Sequence, residues 1–482
     1  MNPEIQRYAW LELSVQRLIL LPLVLIGLAI ALPKQATSFI GLFGFLTLGI
    51  MWGIRAAFGA IPKEVTDRTW DWQRMSALSP WTMAWGKLLG STLAPWYGAL
   101  ISLGIFAVAG LKNSPISIGQ IILFLVGVAV SLQAFAMMVS LQLIRQPGFG
   151  QKPGNRWLGV AVSLFFFFAL VVPASVLLTE AIRHFFRKGN TLEINVYWYQ
   201  INIGKHLIDF TLLSLYLFVG WSLLGLYRSM RIQQQYTNSP LIWLLFVLYL
   251  LTYAAGFAYN WERFLFQNPL MAPEFGGPLQ QQLFPKFVTC MPLAIGLVYL
   301  TMLIEPKDPV GFRKLLQAAK ERRILDFFVH IPAWFINVAV FLLLLVLTLW
   351  SSPQFLKLTP QGYNINITIF LWTIFFFILR DVSLILWNAL SPSSKNSDFI
   401  SIIYLFLLYL IFPNILNQLQ FHDLSFYIMP INYHVLSRST PPNFLTLLFS
   451  AILQSALFLA LCGMRWKQHF AKAEAAPPPA ED

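Results

Sequence analysis

The chain has 482 residues, 57% of them hydrophobic and only 11% charged, whereas soluble proteins carry roughly 25% charged residues. Such a composition belongs to an integral membrane protein and excludes a soluble or disordered class. The net charge of +13 does not mark a nucleic-acid surface, because the bases flank apolar runs instead of gathering into one patch, so no nucleic-acid partner is expected.

The chain opens with "NPEIQRYAWLELSVQRL", which places Tyr8, Leu11, Val15 and Leu18 on one helical face and Glu4, Arg7 and Gln16 elsewhere. This predicts an interfacial helix over residues 1–17, lying along the membrane surface. The first apolar run follows two acidic residues, Glu4 and Glu12, and a second run comes soon after; a retained span is expected rather than a cleaved signal peptide.

A spanning helix needs about 20 largely apolar residues. That length predicts an all-α, polytopic protein of about twelve spans. The first six are Leu18–Leu32, Ser38–Ala57, Leu88–Gly110, Gln120–Ile144, Leu158–Thr179 and Ile208–Leu226. The second six are Leu241–Tyr259, Phe287–Leu303, Ile331–Trp350, Ile367–Leu390, Ile400–Gln418 and Phe444–Cys462. The excess of lysine and arginine in alternate loops places both termini in the cytoplasm, and the expected location is the plasma or inner membrane.

The loops repeat a rhythm: a long cytoplasmic loop after the second span of each set of six, and a long external segment before the sixth. This predicts two six-helix halves, 18–236 and 237–464, carrying cytoplasmic segments 61–87 and 305–330, with a disordered tail over 465–482. The two cysteines, Cys290 and Cys462, lie within apolar spans and form neither a disulfide framework nor a metal-ligand spacing.

The most informative stretch is "KEVTDRTWDWQRMSALSPWTMAWGKLLG", between the second and third spans. Residues Thr66–Leu78 read as a short helix; Ser79 then serves as N-cap and Pro80 as first residue of a new one. Trp81, Trp85 and Lys87 fall near the entry of the third span, at headgroup level. Glu64, Asp67, Arg68, Asp71 and Arg74 are expected to project toward water or a protein surface. By its residues the segment fits either a lipid-anchored helix or a docking surface. Its mixture of acids and arginines beside tryptophan favours docking, since lipid anchors prefer lysine and arginine on the polar face.

Glu64, Arg68-Thr69, Met75, the Leu78-Ser79-Pro80 break and Gly86-Lys87-Leu88 together resemble the first cytoplasmic loop of type 2 ABC exporter permeases. The resemblance covers Met1 to about Tyr236 and includes the interfacial N-terminal helix and the long segment before the sixth span. It implies a coupling helix in which Glu64, Asp67, Arg68, Thr69, Trp72 and Met75 meet a separate ATP-binding subunit, itself a dimer. It further implies that Ser79, Pro80, Gly86 and Lys87 form a hinge into the third span. The family's usual glycine before the threonine is Arg68 here, a departure at the level of backbone geometry. The second loop lacks the pattern; topology alone suggests a second docking surface with Arg313, Lys314, Lys320 and Arg322. A basic surface helix on anionic lipid fits that loop equally well.

No phosphate-binding loop of the G-x-x-x-x-G-K-[ST] type occurs, so ATP and Mg would be bound by the partner and this chain would have neither a cofactor nor catalytic residues of its own. The expected function is the permease subunit of an ATP-driven exporter that moves a hydrophobic or amphipathic substrate, with one chain supplying both halves or a second permease chain pairing with it. An ion-coupled secondary transporter is the first alternative. Such proteins place ionisable groups near the membrane midplane, and only the neighbours Arg380 and Asp381 stand well within a span, where a structural pair is the commoner use. An intramembrane enzyme on a lipid-linked substrate is the second, its best cluster being His422, Asp423 and His434. Gln133 and Asn337 are candidates for a substrate path, although interhelical hydrogen bonding is the more frequent role of such residues.

Overall fold

The computed structural model describes residues 2–31, 33–76, 78–110, 117–144, 197–199, 201–236, 238–258, 279–305, 307, 309–352, 355–357, 364–390, 397–428 and 444–474. These residues form an all-helical, polytopic membrane protein with two short antiparallel hairpins, Tyr197–Trp198 with Ile201–Asn202 and Phe355–Lys357 with Asn364–Asn366. Among them, eight helices are long and apolar enough to cross a bilayer, or up to ten if each of two bent helix pairs is one span. The expected span Leu158–Thr179 lies outside the described residues, and Leu241–Ala255 is apolar but shorter than the others.

The chain divides into two compact units, Met1–Ser239 and Pro240–Asp482, where the loop rhythm places the boundary after Tyr236. In the first unit, α1 (Pro3–Glu12) turns by 69° into α2 (Val15–Ala31). The second span is one long rod: α3 (Lys34–Gly44) passes through a π-helical stretch, Phe45–Trp52, into α4 (Gly53–Thr66). There follow α5 (Trp70–Arg74), α6 (Pro80–Ser91), α7 (Leu93–Ala109), α8 (Ile118–Ile144) and α9 (Leu207–Gln233).

The second unit contains α10 (Leu241–Ala255), α11 (Leu279–Ile304), α12 (Pro309–Lys320), α13 (Ile324–His330), α14 (Ala333–Ser351) and α15 (Ile367–Ala389). Then come α16 (Ser397–Phe406), α17 (Phe412–Gln418), α18 (His422–Ile428) and α19 (Phe444–Glu474). A second π-helical stretch, Leu407–Ile411, joins α16 to α17.

Packing follows the same order in both units. The second span lies on the third, α3 on α7 and α11 on α14, while the fourth lies on the last, α8 on α9 and α15 on α19. Small residues permit these approaches, as expected where lipid offers no hydrophobic drive between helices. A Cβ on Gly41 would fall 2.6 Å from the backbone nitrogen of Phe106. The core of the first unit joins five helices: Ala57 and Ile61, Trp70, Met83 and Leu88, Met137 and Leu141, and Leu226 and Met230.

Four sequence expectations need correction. The second span does not end at Ala57 but continues as helix to Thr66, so segment 61–87 begins inside α4. The helix expected over Thr66–Leu78 is confined to Trp70–Arg74. The third span starts at Pro80 and bends by 57° between α6 and α7. Pro95 accounts for this bend, because it lacks the N–H that would bind the Ser91 carbonyl one turn earlier. Lastly, α19 continues through Arg465 to Glu474, into the stretch expected to form the tail.

Candidate functional site

The loop between the second and third spans takes its shape from the way α4 stops. The Arg68 amide donates to the Val65 carbonyl at 3.2 Å and the Thr69 amide to the Glu64 carbonyl at 2.9 Å, the two bonds of a Schellman cap. Such a cap needs a left-handed residue, and Arg68 has φ 58°. The position where the resembled family carries glycine thus keeps a backbone that glycine favours, although arginine fills it. The chain then enters α5, and Ser79 caps α6 by accepting the Thr82 amide at 3.2 Å, with Pro80 behind it.

Two surfaces result. The outer one carries Asp67, Arg68, Thr69, Asp71, Trp72 and Met75, all exposed, Trp72 at 77% and Met75 at 71%. The inner one is anchored by Trp70, which is buried in the core with Met83 and Leu88 of α6. Glu64 does not share the outer surface, contrary to the expectation that it would project outward: it is only 6% exposed.

Glu64 lies at the centre of a buried charge cluster. Lys87 Nζ, wholly buried, donates to Glu64 Oε2 at 2.5 Å and to Gln73 Oε1, and lies 3.6 Å from Glu4 Oε2. Arg7 donates to the Glu64 carboxylate and, at 2.9 Å, to Glu4 Oε2; Tyr8 Oη donates to Glu64 Oε1 at 2.8 Å. Lys87 Nζ also stands 5.2 Å from the centre of the Trp70 ring. Two carboxylates face two cations, so the cluster balances in charge, which is the condition for keeping ions out of water at tolerable cost.

The cluster explains the placement of α1. Its charged side, Glu4 and Arg7 with Tyr8, points into the protein, while Trp10, Leu11 and Val15 are exposed at 90%, 67% and 70%. The expected face of Tyr8 with Leu11 and Val15 is therefore split. Gly86 and Gly90 form the seat: a Cβ on Gly86 would lie 2.6 Å from Glu4 Cβ, and one on Gly90 would lie 2.7 Å from the Tyr8 ring. Asn2 closes the contact by donating from Nδ2 to the Thr82 carbonyl at 2.7 Å. Gly86 and Lys87 are accordingly inside an unbroken helix, and the change of direction comes at Thr92. Sequence reading missed Glu4, Arg7, Tyr8 and Gln73 as members; their complementary signs were visible, but separations of 57 and 23 residues hid the pairing.

The segment in the second unit has a related form with different anchoring. Arg322, at φ 55°, ends α12 with a Schellman cap, the Arg323 amide donating to the Ala318 carbonyl at 2.9 Å. Arg313, Lys314, Lys320 and Arg322 are exposed. The inward face is Phe312, Leu315 and the buried Ala318, while Leu316 is 54% exposed. Phe312 lies between Trp334 and Trp466, with ring centres at 6.2 and 5.7 Å.

The two residues proposed for a substrate path are both committed to interhelical bonds. Gln133 accepts from Trp96 Nε1 at 2.9 Å and donates to the Gly49 carbonyl at 2.8 Å, a group within the π-helical stretch. Asn337 accepts from Trp243 Nε1 at 3.1 Å and donates at 3.0 Å to both the Leu297 carbonyl and Thr301 Oγ1. Arg380 and Asp381 are likewise enclosed and bonded. Arg380 Nε donates to Asp381 Oδ1 at 2.9 Å and Arg380 Nη1 donates to Gln454 Oε1 at 2.7 Å; Asp381 Oδ2 accepts from Tyr299 at 2.6 Å and from Tyr409. This is the wiring of a helix contact. The side chains of His422 and Asp423 and all of His434 lie outside the described residues. Among the described residues no group of three metal-ligating side chains is assembled, and Cys290 and Cys462 are both free.

No protein-family model matches the chain, and neither a curated protein nor a solved structure is detectably similar to it.

Proposed function

We propose that this chain is the membrane-embedded permease of an ATP-driven exporter, working with a separate ATP-binding subunit on a hydrophobic or amphipathic substrate. One observation carries the reading: a short helix between the second and third spans exposes Trp72 and Met75 beside Asp67, Arg68 and Asp71, while its other side is fixed by Trp70. Exposed aromatic and sulfur side chains amid both signs of charge suit a protein partner better than a lipid surface. The fixed base is what a coupling element requires, since a force applied to Trp72 passes through Trp70, Gln73 and Lys87 into α6. Transport then depends on the partner's nucleotide state favouring one arrangement of the spans over another.

The test is copurification. The full chain, solubilised gently from its own membranes, should bring down an ATP-binding subunit, and W72A/M75A should lose most of that association while unfolding at the wild-type temperature. Equal recovery with the variant, or vesicle transport that needs an ion gradient and no ATP, would overturn the proposal.

A further inference from the structure

Beside the exposed face lies a cleft of about 430 Å³ lined by Val65, Arg68, Trp70, Asp71, Arg74, Ile144, Ile232, Gln233 and Gln235. It falls entirely within the first unit, where the ends of α4, α8 and α9 meet α5. Its lining combines apolar Val65, Ile144 and Ile232 with two guanidinium groups, those of Arg68 and Arg74. Among the described residues no ion pair or side-chain hydrogen bond engages Arg68, Arg74 or Asp71, although Asp71 is within the same cleft.

Two arginines against one aspartate leave the cleft lining with an excess positive charge. Guanidinium presents a planar fork of donors that matches phosphate oxygens and is the usual means of holding them. The C-terminal carbonyls of α9 do not compete with phosphate for the guanidinium donors, because they are already engaged: the Gln235 amide bonds the Ile232 carbonyl at 3.0 Å and the Tyr236 amide the Arg231 carbonyl at 3.0 Å. Trp81 and Trp85 stand at the start of α6, and Trp85 packs on the core that holds Trp70, a lining residue of the cleft; tryptophan at such a span entry marks headgroup depth in a bilayer. A lining that combines cations with aliphatic side chains suits an anion attached to an apolar body.

We propose that this cleft binds a phosphate group, and that the group belongs to the headgroup of an anionic phospholipid, with Arg68 and Arg74 on the phosphate and Val65, Ile144 and Ile232 against the glycerol and the first acyl carbons. Clusters of bases where spans meet the interface are suited to such lipids. The site adjoins the partner-docking face and shares Arg68 and Asp71 with it, whereas Trp72 and Met75, which carry the docking reading, are not among its lining residues.

The experiment uses the full chain in nanodiscs of phosphatidylcholine alone or with a minority of phosphatidylglycerol, and counts retained lipid by native mass spectrometry. Wild type should retain phosphatidylglycerol in preference to phosphatidylcholine. R68N/R74Q should lower that preference about thirtyfold, as loss of two phosphate-directed cations implies, with Asn chosen because it accepts the left-handed backbone. R74Q alone gives the same reading should the double variant fail to insert, and W72A/M75A should retain lipid as wild type does. A second arm titrates inorganic phosphate into phosphatidylcholine discs: protection of Arg74 from a guanidine-directed reagent at low phosphate concentration, without preference for phosphatidylglycerol, overturns the lipid assignment. Equal retention by wild type and R74Q overturns the site, including the case where these arginines serve an acidic partner protein.

Discussion

The two inter-span segments, 61–87 and 305–330, share a skeleton and differ in what holds it. Each carries a glutamate near the end of a long apolar helix, Glu64 in the last turn of α4 and Glu305 just after α11, and each contains a Schellman cap with a left-handed arginine, Arg68 or Arg322. Glu305 accepts the backbone amide of Trp334 at 3.2 Å, placing a carboxylate at the start of α14, where a helix favours negative charge. Glu64 meets side-chain charges instead, and these are buried. The first segment is therefore fastened by ions in a closed cluster and the second by rings, Phe312 between two tryptophans. An ionic fastening is unforgiving, because loss of one partner strands another; an aromatic one weakens by degrees.

That contrast can be broken by substitution. K87M should have the largest effect, about 3–5 kcal/mol of destabilisation, since Glu64 and Glu4 would keep only Arg7 as counter-charge. Chemical unfolding in micelles, followed by protease sensitivity of α1, measures it. The companion E305Q should cost about 1 kcal/mol, because one backbone bond is weakened rather than a charge stranded. F312A comes between them, at about 2 kcal/mol, reduced from the full core value because the ring is half-buried. If K87M and E305Q unfold alike, the distinction between the two fastenings is wrong.

The smallest effects probe the shared skeleton. R68G and R322G should each stabilise by up to about 1 kcal/mol, glycine being free of the Cβ crowding at positive φ while giving back some entropy in the unfolded chain. A gain at one position and a loss at the other, read as midpoint shifts in the same denaturant series, would show that the two caps are not equivalent. W72A/M75A should change stability by less than about 0.5 kcal/mol, as expected for exposed positions, which makes its loss of partner association interpretable.

The fold class was legible because bilayer thickness imposes a length on apolar runs, and the Ser79-Pro80 start was legible because capping is local chemistry. The end of the second span was not. Lys63 and Glu64 read as the onset of a polar loop, yet α4 absorbs them because their charges are answered by Arg7 and Lys87 from elsewhere in the chain. The same reason hid the role of Gly86-Lys87, which looks like flexibility followed by charge and is in fact a seat followed by a buried ion. Gln133 and Asn337 were ambiguous for a different reason: a polar residue in a span serves a path or a neighbouring helix, and only the positions of Trp96 and Trp243 decide.

The seat for α1 also imposes an order in time. The helix is synthesised before its partners: the bonds that hold it come from Glu64 and Lys87, and Asn2 finds its acceptor 80 residues later in α6. Until the end of the second span has emerged, Glu4 and Arg7 have only each other and water, and Lys87 completes the cluster only with the third span. The first unit therefore closes from its beginning onto its middle, and assembly in the membrane includes a waiting period during which the N-terminal helix is made but not yet docked.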